Sequence, residues 1–238
     1  MPSSDLSNFE KELHYQFNDI RLLKQALIHS SYINENGLKK PDCNERLEFF
    51  GDAVLEMVTS RYLYKTYPDY MEGALSKMRA SIVSEKPLAR AAREIHLGDY
   101  LLLGKGMEKG GGRDNDNILC DAFEAVLAAL YLDGGIKEAE RLIERVVLSP
   151  LKNDEYLEDF KTLLQEAVQE QNGTVLYELI SETGPDHDKT FLVQVYVNSE
   201  VMGHGSGHSK KEAEMKAAEN AYLKVLHKRP KCDCGHKE

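Results

Sequence analysis

Two acidic pairs at helical spacing are the residues most able to do chemistry. Glu48 and Asp52 stand four apart in Asn44-Glu45-Arg46-Leu47-Glu48-Phe49-Phe50-Gly51-Asp52-Ala53-Val54-Leu55, so a helix stacks their carboxylates on one side. Glu45 joins that stripe, while Leu47, Phe50, Val54 and Val58 form the opposite, core-facing one. A second apolar segment, 118–132, carries Asp121 and Glu124 three apart. Carboxylates set in this much apolar sequence are partly desolvated, and a desolvated carboxylate without a partner is costly. Four that converge need a cation, and all-oxygen ligation suits Mg²⁺ or Mn²⁺. The spacing therefore suggests a divalent-metal site on two helices. A lone Glu-x-x-x-Asp pair more often marks the solvated face of an amphipathic helix, and spacing alone leaves both readings open.

The elements that must position these acids are almost all helical in the first part of the chain. Residues 19–30 carry Ile20, Leu23, Ala26 and Leu27 at helical spacing, with Asn18 or Asp19 as N-cap. Residues 34–42, containing Gly37 and Pro41, read as a loop feeding the first acidic helix, which runs past Tyr62 and stops near Tyr67-Pro68. Helices follow at 72–84 and 86–96. Glycines at 104, 106, 110, 111 and 112 make 104–117 a flexible connection. It lacks a Gly-Lys-Ser/Thr ending or a preceding strand pattern, which excludes a nucleotide-binding loop. Gly134-Gly135 ends the second acidic helix, and another spans 137–147. After a polar linker at 150–158 the period changes. Residues 159–171 read as a helix, 176–181, 190–197 and 201–206 as strands, and 209–226 as a long helix. Ser209 caps that last helix, and Glu212 completes a capping box. The fold class expected is mainly α: an all-helical domain followed by a small α+β domain of α-β-β-β-α order.

At 238 residues the chain has room for one large or two modest domains. No apolar run approaches a membrane span, and the first residues lack a leader pattern, so a cytoplasmic location is expected. Cys43 and Cys120 sit alone, which argues against a disulfide framework. Cys232, Cys234 and His236 offer three donors near a chain end, one short of a closed zinc site. The net charge of −10 speaks against tight non-specific nucleic-acid binding. Residues 1–150 hold 19 basic against 24 acidic side chains and residues 151–238 hold 11 against 16, so each half carries −5. A local basic face is still compatible with that balance.

The stretch 44–55 strongly resembles the signature helix of ribonuclease III. Asp121-Ala-Phe-Glu124-Ala with Tyr131-Leu-Asp-Gly-Gly135 resembles that family's second acidic helix, and Glu72-Gly73 with Leu75-Ser-Lys-Met-Arg-Ala80 a third block. The later α-β-β-β-α segment, with Gly205-Ser-Gly-His-Ser-Lys-Lys-Glu212, resembles the double-stranded RNA-binding domain. The resemblance runs from about Phe9 to His227. It implies a catalytic domain at 6–135, a final helix and linker at 136–156, an RNA-binding domain at 157–228 and a disordered tail at 229–238. Phe50, Cys120 and Ala129 depart from the family pattern, and none occupies a ligand position.

What the resemblance implies is an endoribonuclease that hydrolyses double-stranded RNA with Mg²⁺, or Mn²⁺ as a substitute, leaving 5′-phosphate and 3′-hydroxyl ends. Ribosomal-RNA precursors and some messenger and transfer RNAs are its implied substrates. Carried over by position, Glu48, Asp121 and Glu124 ligate the metal, Asp52 and Glu124 are catalytic, and Glu45 and Glu72 are outer-shell groups. In the second domain Gln165 and His187 reach successive minor grooves, and Ser209, Lys210 and Lys211 hold the phosphates between them at a helix N-terminus. Tyr177 and Phe191 are expected to pack the sheet rather than stack on bases. One copy of each acidic motif gives one site per chain, so cutting both strands calls for a twofold homodimer, with Phe49 and Phe50 as interface or core candidates. A non-catalytic RNA-binding protein is the alternative, but all four acids are present. A helical hydrolase acting on nucleotides is disfavoured by Ser209-Lys210-Lys211.

Overall fold

The computed structural model describes residues 6–68, 70–149, 159–169, 172–185 and 189–228. The expected linker at 150–158, the end of the helix at 170–171, His187 and the tail at 229–238 lie outside the described residues. The chain divides into two compact units, Met1–Pro68 with Leu75–Lys152, and Asp69–Ala74 with Asn153–Glu238.

Helix α8 (Asp116–Gly134) is the axis of the first unit, because Ile118, Leu119, Ala122, Phe123 and every residue from Ala125 to Leu130 are buried. A helix apolar on nearly all sides must be surrounded. Around it pack α2 (Ile20–Ala26), α4 (Glu45–Thr66), α6 (Glu85–Glu94) and α9 (Ile136–Ile143). Asn115 caps α8 by accepting the Ile118 N–H at 3.2 Å. Gly135, at φ 84°, ends it in a conformation that side-chain-bearing residues avoid. Along α4 the buried stripe is Leu47, Gly51, Val54, Leu55, Val58, Thr59 and Leu63, and it faces α8.

Two expectations need correction. The helix begun after the Asp19 cap ends at Ala26 rather than at 30. Ile28 instead pairs in parallel with Leu102: the Leu102 N–H donates to Leu27 O at 2.8 Å and the His29 N–H to Leu102 O at 3.1 Å. The chain then starts a separate helix, α3 (Ser30–Asn36), which runs into the first residues of the expected loop at 34–42, and Gly37 closes it in the left-handed region. Residues 104–117 are not a free connection either. They hold α7 (Lys105–Lys109) and a 3₁₀ turn, Gly112–Asp114. Arg113 fastens them, donating to Gly98 O at 2.8 Å and pairing with Glu108. Gly104 and Lys105 N–H groups donate to Ser31 Oγ and Glu35 Oε1. Composition signals turns, but it does not show which partners those turns find.

Two further helices are α1 (Leu6–Leu13), which buries Phe9 and Leu13, and α5 (Glu72–Ile82). In the second unit α10 (Asp159–Gln169) precedes an antiparallel sheet of order β1 (Val175–Thr183), β2 (Thr190–Val197) and β3 (Glu200–Gly207), which α11 (Lys210–Lys228) covers. Val193, Val195 and Met202 face Ala213, Ala217, Ala218 and Ala221 in the core. A Cβ on Gly203 or Gly205 would lie 2.2 or 2.1 Å from the carbonyl oxygen of Ala217 or Ala213. Glycine on β3 and alanine on α11 thus let helix and strand meet backbone to backbone. Lys161 on α10 pairs with Glu214 on α11 and sits 4.9 Å above the Tyr177 ring, so Tyr177 packs within the domain.

Candidate active site

Glu45, Glu48 and Asp52 line one edge of α4, and Asp121 and Glu124 the facing edge of α8. Their meeting depends on Gly51. A Cβ there would lie 1.8 Å from the Glu124 carbonyl oxygen, so only glycine lets the two acidic edges approach this closely.

Glu48, Asp121 and Glu124 are half-buried, while Asp52 and Glu45 are exposed. Burial, then the charges of Asp52, Asp121 and Glu48, push the Glu124 carboxyl up to about 8. Glu48 is raised by burial and by Asp121, Glu45 and Asp52. Asp121 is raised by burial and by Glu85, with His29 acting the other way. The four acids therefore share one electrostatic field, and no lysine or arginine among the described residues pairs with any of them. The polar contacts they have are weak. Asn117 Nδ2 donates to Asp121 Oδ2 at 3.4 Å, and the Cys120 thiol to Glu124 Oε1 at 3.8 Å. Burial and the neighbouring Glu124 and Asp121 charges push that thiol well above its usual range.

Among the described residues no three His, Cys, Asp or Glu side chains stand close enough to enclose an ion as placed. What the site offers is an all-oxygen donor set with uncompensated negative charge, the chemistry a hard divalent cation requires. Glu72, exposed in the first turn of α5, is not among the charges acting on Glu48, Asp121 or Glu124.

A model of the ribonuclease-III-like family matches residues 19–151, and one of the double-stranded RNA binding motif matches residues 160–225. The chain belongs to the ribonuclease III family. It is an endoribonuclease of double-stranded RNA. Ribonuclease 3 of Caldanaerobacter subterraneus subsp. tengcongensis is 50% identical over 225 residues, 92% of this chain and 98% of its own length. That of Listeria welshimeri is 47% identical over 222 residues, 92% and 97% of the two chains. A solved nuclease domain of ribonuclease III from Campylobacter jejuni, whose dimer-forming region is described as flexible, shares 39% identity at a TM-score of 0.57. It covers 61% of this chain and 97% of its own.

In the family's second domain, Ser209 Oγ accepts the Glu212 N–H at 3.1 Å, as an N-cap should. The Glu212 carboxylate reaches the His208 N–H instead of that of Ser209, so the capping box closes one residue early. Lys210, Lys211 and, on α10, Gln165 are exposed. Sequence spacing singled out the acids but neither the reason for Gly51 nor His29. A glycine inside an otherwise good helix, between two acids, is the signal for the first. For His29 there was none, since its place depends on the Ile28–Leu102 bridge.

Proposed function

We propose that Glu48, Asp52, Asp121 and Glu124 form one Mg²⁺-dependent site that hydrolyses phosphodiesters in double-stranded RNA. The single observation that supports this most is the half-buried Glu124 carboxylate set among three other acids, with no lysine or arginine pairing with it among the described residues, which raises its proton affinity. Such a carboxylate is stabilised only by a proton or by a cation. Glu48, Asp121 and Glu124 would hold the cation, with Mn²⁺ as a substitute. When bound, it would offset charge on the phosphorus and the departing oxygen and sharpen the nucleophile. Asp52, exposed at the rim, orients the attacking water and accepts its proton. Glu124, ionised in the loaded site, would help hold the cation that faces the phosphate, and Glu45, whose charge acts on Glu48, serves as an outer acid. Departure of the 3′ oxygen leaves 5′-phosphate and 3′-hydroxyl ends.

The domains divide this work at about residue 157, with 6–135 cutting, 136–156 supplying a final helix and linker, and 157–228 binding RNA. Lys210 and Lys211, at the free amides of α11, hold phosphates across the groove, with Gln165 and His187 on the flanking minor grooves. Readout by shape rather than base sequence fits processing of ribosomal-RNA precursors and some messenger and transfer RNAs. No helix among the described residues is long and apolar enough to cross a membrane. The unpaired thiols of Cys43 and Cys120 suit the reducing cytoplasm.

A twofold homodimer completes the assembly. Phe49 is 81% exposed on the acidic helix, whereas Phe50 packs edge-on against Tyr131 in the core. Beside it opens a cavity of about 310 Å³ lined by Leu22, Gln25, Arg46, Leu47, Phe50 and Leu132. A second copy's Phe49 would fill this cavity, and the symmetry would set two sites on one duplex. The test is incubation with long duplex RNA, single-stranded RNA and duplex DNA, in Mg²⁺ or EDTA. Cleavage of duplex RNA alone, abolished by EDTA, is expected; equal cleavage of single strands, or activity in EDTA, would overturn the reading.

A further inference from the structure

The two acids of α8 each have a neutral donor one helical turn upstream. Asn117 stands four residues before Asp121, and Cys120 four before Glu124, the spacing at which side chains meet along a helix. Both pairs are made: Asn117 Nδ2 donates to Asp121 Oδ2 at 3.4 Å, and the Cys120 thiol to Glu124 Oε1 at 3.8 Å. The second is the longer because its donor is a thiol, which donates weakly. A thiol donates only while it keeps its hydrogen, and burial among acids secures that here. The turn that carries Asn117 is itself held. Asn115 caps it by accepting the Ile118 N–H, and Arg93 pairs with both Asp114 and Asp116.

Each bond engages one oxygen of its acid. Among the described residues Asp121 Oδ1 and Glu124 Oε2 receive no hydrogen bond, and neither do the carboxylates of Glu48 and Asp52 on α4. The acids of α8 are thus steadied by their own helix, and those of α4 are not. The donors are also uncharged. A lysine or arginine in either place would neutralise the acid and compete with a cation for it. An amide and a thiol orient the carboxylate and leave its charge uncompensated.

We propose that Asn117 and Cys120 are positioning residues of the cation site, each holding one oxygen of the acid a turn later and leaving the other for the cation. This rests on the assignment of Asp121 and Glu124 to the metal site. Neither residue touches the reacting atoms. Together they reduce the side-chain freedom that the two acids give up on binding the cation, so their loss weakens metal binding more than RNA binding.

The test measures Mg²⁺ binding by calorimetry without RNA, in the full chain, for wild type, Asn117→Ala, Cys120→Ala, the double variant, Asn117→Gln and Glu124→Ala. Groups that orient a metal ligand are worth ~10–100-fold in affinity, and bonds this long take the low end, so ~3-fold is expected for each single variant and ~10-fold for the double. Asn117→Gln, whose amide still reaches a carboxylate four residues on, should recover most of what Asn117→Ala loses. Duplex RNA binding in EDTA should match wild type in all the Asn117 and Cys120 variants. Independently, the infrared S–H stretch that disappears in Cys120→Ala should rise in frequency in Glu124→Ala, where the thiol has lost its acceptor. Wild-type Mg²⁺ affinity in the double variant alongside loss in Glu124→Ala would overturn the proposal. Equal losses in Asn117→Ala and Asn117→Gln would remove Asn117 from it, and an unmoved S–H band would remove Cys120. Undiminished affinity in Glu124→Ala would overturn the metal site itself.

Discussion

Gly51→Ala isolates the contact on which the site depends. The added Cβ would stand 1.8 Å from the Glu124 carbonyl oxygen, against 3.4 Å for ordinary contact. The obstacle is backbone, so no side chain can rotate away and α4 must move from α8 by about 1.6 Å. Helix propensity works the other way, since alanine is better than glycine by ~0.5–1 kcal/mol. Overpacking a core costs ~1–3 kcal/mol, so the net effect is destabilising by roughly 1–2 kcal/mol. For a chain of this size that lowers the melting temperature by roughly 2–8 °C. Activity should suffer more, because a misplacement of ~1 Å in catalytic groups costs on the order of 100-fold. Thermal melting by circular dichroism and single-turnover cleavage of a duplex RNA in saturating Mg²⁺ read the two effects. A variant that melts at or above wild type and cuts at the wild-type rate would show that the close approach at Gly51 does not position the acids.

In metal-free protein the Glu124 carboxyl titrates near 8 instead of its ordinary 4.5. The folded state holds that proton more tightly, so its stabilisation is complete below about pH 4.5 and is lost as pH rises through about 8. Allowing for screening at a half-buried group, stability should fall by roughly 1–2 kcal/mol between about pH 5 and pH 9, and Mg²⁺ should restore it; a flat profile would contradict the shared field. Phe49→Asp should convert the dimer to a monomer in sedimentation, whereas an unchanged dimer mass would remove Phe49 from the interface. Deleting residues 157–238 should leave a folded protein that cuts duplex RNA only at low salt, because phosphate contacts are lost. A truncated chain inactive even in low salt and high Mg²⁺ would show that the domains do not divide the work in this way.

The parts of the molecule legible in sequence are those where local pattern and tertiary environment agree. The acidic helices show this, because one apolar stripe buries them while the acids mark the other edge. The strand Thr190–Val197 shows it by strict alternation, with Val193 and Val195 inward. Harder to read were features that depend on distant partners. The helix at Ile20–Ala26 stops early because Ile28 pairs with Leu102, and 104–117 is ordered because Ser31, Glu35 and Gly98 lie across from it. Acid spacing located the site, but the closeness of its two halves is decided by a missing Cβ at Gly51. Nothing in the local pattern around Ile28 and His29 shows that Leu102 O accepts the His29 N–H or that Ile28 O accepts the Asn44 N–H.

The central claim, that four acids on two helices act as one cation-dependent site, is tested most directly with Glu124→Gln. The amide keeps the shape and removes the charge needed to hold the cation. Cleavage of a uniformly labelled duplex RNA and its binding are measured on the same preparation, in Mg²⁺. Duplex binding within about twofold of wild type with cleavage reduced by more than ~1,000-fold is expected, since the loss falls on transition-state stabilisation rather than on RNA contacts. Turnover near the wild-type rate would remove Glu124 from the mechanism and with it the single site.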